Sequence, residues 1–203
     1  MKQEKKPKVQ RTEKKVESLS YTVEVRDKEG RVLQRISAPS RSYVQQWNQI
    51  LNVQAAQADK TVKDTGGADR TATPSEFNLY MFAPIGTIIQ GIRVGKGTAA
   101  VAITDYALES PCGEGVGADE FNHQAVEFTE PSVVASTCSF TITRTMINNS
   151  GATIAGIKEI GCYSVFYDGT THYALTFRDV LPGALSIPDG GSITVTYTIA
   201  VTV

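Results

Sequence analysis

Apolar and polar positions alternate with two different periods along this chain. Tyr21, Val23 and Val25 alternate with Thr22 and Glu24, Lys28-Glu29-Gly30 supplies a turn, and residues 32–36 return, which predicts a β-hairpin. Pro39 ends that pattern, and Ser40 stands where a helix N-cap would. Tyr43, Val44, Trp47, Ile50 and Leu51 then recur at i, i+1, i+4, i+7 and i+8, predicting one amphipathic helix over about 41–56. Its stripe is expected to cover an open sheet face, and Trp47 is the candidate contact for another subunit.

Residues 57–77 are polar and broken by Gly66-Gly67 and Pro74, with a short strand expected at 61–64. Beyond Leu79 the pattern is strand and turn almost throughout. Strands are expected at 87–94, interrupted by Gly91, and at 100–103 and 124–129, with a glycine-rich loop over 111–119. One long strand is expected over about 132–147, placing Val134, Ser136, Cys138, Phe140, Ile142 and Met146 on one face. Turn chemistry at 148–151, 168–169 and 189–191 separates the last strands. In the final one, Ile193, Val195, Tyr197, Ile199, Val201 and Val203 alternate with Thr194, Thr196, Thr198, Ala200 and Thr202. A strand that is apolar on one face and hydroxylated on the other belongs to an antiparallel sheet with one wet face. The expected fold is mainly β, an antiparallel β-sandwich over 20–203 with one amphipathic helix near the N-terminus.

Charge divides the chain differently. The formal net charge is −1, but residues 1–17 carry +4 and the remainder −5. Residues 1–19 are almost all polar, with no apolar period, and are expected to form an extended basic N-terminal arm. Lys5, Lys6, Lys8, Arg11, Lys14 and Lys15 are its candidate assembly contacts, placed to lie on the acidic body of a neighbouring copy. Sequence-specific nucleic-acid recognition is disfavoured, because no aromatic side chain is interleaved with these charges to stack on bases. No apolar run approaches the ~18 residues of a membrane span, and no apolar stretch follows the basic N-terminal region as in a secretory signal. The protein is therefore expected to stay in the compartment where it is made until something releases it. Cys112, Cys138 and Cys162 are odd in number and widely spaced, and read as buried thiols.

The search for reactive chemistry is short. His123 and His172 stand in or beside expected strands, and neither G-x-S-x-G nor H-E-x-x-H is present. The run GIRVGKG (91–97) imitates a phosphate-binding loop, but it has three residues where four are needed before Gly-Lys, and strand pattern follows instead of a helix. Asp64, Asp69 and Asp119-Glu120 fall short of the oxygen-ligand density of a calcium loop. Asn148-Asn149-Ser150 matches a glycosylation acceptor and also an ordinary hairpin turn, and without a secretory signal the turn is preferred. No catalytic residue, metal or cofactor is expected.

The run GIRVGKGTAAVAITDYAL (91–108) resembles a segment of tailed-bacteriophage virion proteins, in which a G-I-x-V-G-x-G-x-x-A-V strand and turn precede D-Y-x-L. Three more runs look like the same group: Asn148 to Gly151, IKEIGCY (157–163), and FRDVLPGALSIPDGGSITVTYTIAVTV (177–203). SYVQQWNQIL (42–51) is similar to their early helix. The resemblance covers roughly 19–203 and does not extend to the basic segment. It implies a β-rich structural subunit of a phage neck, tail, head fibre or capsid decoration. Such a subunit is made in the host cytoplasm, ends in the virion, and contacts other virion proteins and copies of itself. A second reading is a receptor- or glycan-binding module for a host-surface glycan. Its aromatic candidates are Tyr163, Phe166, Tyr167 and Tyr173, most of which alternate as core residues do.

Overall fold

A computed structural model describes residues 16–40 and 42–203, with side chains from Ser18 onward. The elements in chain order are β1 (Val16–Arg26), β2 (Val32–Ser40), α1 (Gln45–Ala56), β3 (Lys60–Lys63), β4 (Asp69–Ala72), β5 (Gly91–Gly95), β6 (Gly113–Glu114), β7 (Glu120–His123), β8 (Glu127–Phe128), β9 (Ser132–Val134), β10 (Thr137–Ile147), β11 (Ile154–Tyr167), β12 (Thr171–Ile187) and β13 (Ser192–Thr202). The chain is mainly β, with one helix among the described residues. β1 begins at Val16, inside the range assigned to the arm.

The larger sheet has the order β2-β1-β13-β10-β7-β6, and β8 and β9 also pair with β10. Its long pairings are antiparallel, and the short β6–β7 pair is parallel. A second antiparallel sheet has the order β12-β11-β5, and β3 pairs with β4 alone. Both larger sheets feed one apolar cluster. Val23, Val195, Tyr197, Ile142 and Met146 enter it from the first sheet, and Ile92, Ile160, Cys162, Phe177 and Leu181 from the second. The alternation of β13 is realised as expected: Ile193, Val195 and Tyr197 are buried, while the threonines pair across strands. Thr194 and Thr196 hydrogen-bond Thr145 and Thr143 of β10 at 2.8 and 3.0 Å.

Several expectations are corrected by where backbone groups find partners. Residues 42–44 do not start the helix. Val44 donates its N–H to Thr176 O, and Ser42 O accepts from Arg178 N–H, so this stretch runs extended beside β12. The helix begins at Gln45, with Val44 as an N-cap that makes no side-chain cap, and the Ser40 hydroxyl is used elsewhere. The buried face of α1 is Gln46, Ile50 and Val53, whereas Leu51 is exposed. Ile50 and Val53 pack with Val62, Ala72, Phe166 and Ala174, extending the covered part of the β11–β12 hairpin.

The single strand expected over 132–147 is two strands. Ala135 takes φ +52°, and β9 folds back to pair with β10. Ile142 and Met146 are buried as expected, but Val134 and Cys138 are exposed, so only Cys112 and Cys162 are the buried thiols. Only 91–95 of the strand expected at 87–94 is a strand. Thr87 O, Gln90 O and Ile92 O all accept from the buried guanidinium of Arg144, which holds the approach to β5 as a loop. Gly91 makes the bend at φ +80°, where a Cβ would lie 2.8 Å from Val126 Cγ2. Residues 100–103 form no strand either. The N–H groups of Thr98 and Ala99 go to the Glu109 carboxylate and that of Ala102 to Asp105, so side chains compete with a ladder.

Candidate functional site

On β11 the side chains of Ile160 and Cys162 enter the core, so Glu159, Gly161 and Tyr163 point to the opposite face. That face is covered by the loop 96–110, and Glu159 is the post on which the loop is hung. Its Oε1 accepts from Gly97 N–H (3.0 Å) and Ser110 N–H (2.7 Å), and its Oε2 accepts from Glu109 N–H (3.0 Å). Two of the three glycines of GIRVGKG are required by this carboxylate: a Cβ on Gly95 or Gly97 would lie 2.5 Å from Glu159 Oε1. The apparent phosphate loop therefore wraps an anion that belongs to the protein.

Arg178 of β12 completes the centre. Its Nε donates to Glu159 Oε2 at 3.1 Å and its Nη1 to Asp105 Oδ2 at 2.9 Å, with Glu109 Oε2 3.8 Å from Nη2. Burial works against the Arg178 charge, but Glu159 and Asp105 outweigh it and hold the guanidinium above its ordinary pKa. The N–H groups of Ala99 and Thr98 hold the Glu109 carboxyl below its ordinary range. One more tie comes from Tyr163, whose hydroxyl oxygen accepts from Leu108 N–H at 2.8 Å. A cleft of about 440 Å³ opens beside Asp105, Tyr106, Glu109 and Arg178. Its charged groups pair with one another, although Arg178 Nη2 is buried with no hydrogen-bond partner and meets Glu109 only at 3.8 Å, and the arrangement holds the loop in place.

Asp179 points the other way, into the interior. Its Oδ2 accepts from Ser40 Oγ (2.8 Å) and Tyr197 OH (3.1 Å). Burial raises its pKa, against the Ser42, Ser40 and Tyr197 hydroxyls that pull it down. The R-D-V-L pair thus links two sets of partners: Arg178 fastens the outer loop, and Asp179 fastens β2 and β13.

The two histidines are in different situations. His123 is fully buried, and its Nδ1 lies 2.7 Å from Glu114 Oε2 and 3.1 Å from Phe121 O. Both neighbours are acceptors, so the proton sits on Nδ1. Burial and the charge of Arg144 lower its pKa, opposed by Glu114. His172 stacks on Phe166 with ring centroids 5.5 Å apart and lies 2.9 Å from Asp168 at the β11–β12 turn.

The other candidates are distributed as follows. Lys5, Lys6, Lys8, Arg11, Lys14 and Lys15 lie outside the described residues. Trp47 packs inward, with its ring centroid 5.8 Å from that of Phe177 and 5.1 Å from that of Tyr43. Asp64 spends its oxygens on Gly66 N–H, Ala68 N–H and Arg70. Asn148 is buried, and its amide donates to Ala152 O and Ile187 O, so the acceptor nitrogen of the glycosylation pattern is committed to the turn. Tyr163 and Phe166 are buried, while Tyr167 and Tyr173 are half-buried. Sequence reasoning missed the Glu159–Arg178 centre and the Asp179 tie behind it, although all three residues stand inside the runs quoted for the phage resemblance. Comparison of the chain with protein-family models, with curated proteins and with solved structures finds no match.

Proposed function

We propose that the chain is a structural subunit of a bacteriophage virion, built as a β-sandwich and working through contacts with copies of itself and with other virion proteins. The observation that carries this reading is an apolar overhang at one end of the larger sheet. Three successive rows on its core-side face are in register: Ile142 with Tyr197, Phe140 with Ile199, and Cys138 with both Val201 and Val133. The first row is buried and the second nearly so, but in the third Val133 is 73% and Val201 51% exposed. Cover from the second sheet runs out while the apolar pattern continues. An uncovered apolar sheet end is a surface made for a partner.

The occupant proposed is a second copy of the chain. β1 enters the sheet at this same end, where Val16 pairs with Thr202. Residues 1–17 carry +4 and the remainder −5, which gives neighbouring copies complementary charge. The Glu159–Arg178 centre fits the same reading, since it holds the outer loop firmly, as a subunit of a particle needs.

Sedimentation velocity across a concentration series, with electron microscopy of the assembled material, tests the reading. The native chain is expected to form rings or symmetric oligomers, and Val201→Asp or Val133→Asp to leave folded monomers. A native chain that stays monomeric at every concentration sinks the proposal.

A further inference from the structure

Gly161 on β11 stands in register between two arginines, Arg93 on β5 and Arg178 on β12. The arginines have opposite fates. Arg178 is met by Asp105, Glu109 and Glu159. Arg93 has no carboxylate within ion-pair distance among the described residues. Its Nη2 donates to Cys112 O at 2.6 Å, its Cζ sits 5.9 Å from the Tyr163 ring centroid, and its Nε is buried with no hydrogen-bond partner. Burial pushes its pKa down, and nothing nearby on the chain supplies a full negative charge to offset that.

Arg93 lines a cavity of about 270 Å³ together with Thr65, Ile88, Ile89, Pro111 and Tyr173, among others. The walls come from the β3–β4 turn, the loop before β5, the loop after it, and the β11–β12 hairpin. A mostly apolar and aromatic pocket with one convergent charged group is the usual make-up of a small-ligand site.

We propose that this cavity binds a small carboxylate carried on a single ring, with Arg93 as the anion-binding group. The guanidinium is held in orientation by Cys112 O and Tyr163, and the ligand carboxylate supplies the counter-charge that the chain withholds. Tyr173, Ile88, Ile89 and Pro111 take the body of the ring, and the cavity volume limits that body to about one ring. A ring-borne carboxylate can come from an aromatic acid or from a sugar acid. The site does not depend on the assembly reading, and the two stand or fall separately.

Isothermal titration of the full chain with benzoate and with D-glucuronate, alongside neutral benzamide and D-glucose, tests the proposal. At least one acid is expected to saturate a single site while its neutral counterpart does not, and the acid that binds identifies the ligand's source. Arg93→Gln is expected to weaken that binding about tenfold or more. Ile89→Glu changes a half-exposed residue of the wall, leaves the fold intact, and places a competing carboxylate at the pocket, so it is expected to block the acid as well. Failure of both acids to bind, equal binding of the neutral compounds, or unchanged affinity in Ile89→Glu with a native melting curve would each overturn the proposal.

Discussion

Arg178 donates from Nε to Glu159 Oε2 at 3.1 Å, and the two side chains are 2% and 0% exposed. The pair stands on neighbouring strands of the smaller sheet, but what it organises is the loop outside them. Through Glu159 it holds the N–H groups of Gly97, Glu109 and Ser110, and through Arg178 it holds Asp105. The D-Y-x-L, E-I-G-C-Y and R-D-V-L runs, far apart in the chain, therefore meet at one buried centre.

Replacing Glu159 by Gln keeps the size of the side chain but removes the most buried of the charges that balance Arg178, leaving Asp105 and Glu109. A buried pair broken on one side costs about 3–5 kcal/mol when the remaining charge is left unpaired, and with Asp105 still on Arg178 the loss is expected at the low end of that range. The loss should show in urea denaturation. Hydrogen exchange should place it, with the amides of Gly97, Glu109 and Ser110 losing protection before those of β13.

Asp179→Asn is expected to act in the opposite direction. The carboxyl has a raised pKa in the folded state, so the fold favours its protonated form. The stabilisation this gives is complete below the unfolded pKa and is lost as pH rises through the folded one. At neutral pH the ionised carboxylate is therefore a burden, and an amide imitates the favoured form while the Ser40 and Tyr197 hydroxyls reorient. The variant should melt a few degrees higher than the native chain at pH 7. The difference should vanish near pH 4.

Much of the fold is legible in the sequence where one rule acts alone. β13 alternates without interruption, and the β1–β2 hairpin has both its alternation and its glycine turn. Legibility fails where tertiary partners decide. The β9–β10 turn at Ala135-Ser136 contains no Gly, Asn, Asp or Pro, so nothing local marks it. The helix start moves from 41 to Gln45 because Ser42 and Val44 bond to β12, some 130 residues away in sequence. The Glu159 centre is illegible for the same reason, since an isolated Glu in an apolar strand gives no hint that three distant N–H groups converge on it. The run 91–97 imitates a phosphate loop partly because Gly95 and Gly97 are shaped around Glu159.

Gly161 offers a test of how tightly the loop is seated. A Cβ there would lie 2.8 Å from Leu108 Cδ2 and 2.9 Å from Phe177 O, with the carbonyl unable to move without opening the sheet. Gly161→Ala is expected to lose about 1–3 kcal/mol through overpacking. The companion variant Gly161→Ala with Leu108→Ala separates the two contacts. Recovery on shortening Leu108 assigns the cost to the loop, and no recovery assigns it to the β12 backbone.

His123 is expected to make the protein sensitive to mild acid. Its ring is buried and neutral, with Nδ1–H donating to Glu114, while Arg144 donates to Gln124 O on the next residue and bears on the same ring. Because its pKa is lowered in the folded state, the unfolded chain takes up a proton first as the pH falls. The contribution of His123 to stability is thus complete above its ordinary pKa of 6.5 and is lost as the pH drops from there through the folded value. Urea denaturation of the native chain at pH 8, 6.5 and 5 should show falling stability over the last interval. His123→Asn should be less stable at pH 8, where the bond to Glu114 is weakened, yet should lose less between pH 6.5 and 5. Nitrogen NMR of the ring at pH 7 should find the proton on Nδ1. Parallel pH profiles for the two proteins would show that the acid sensitivity resides elsewhere.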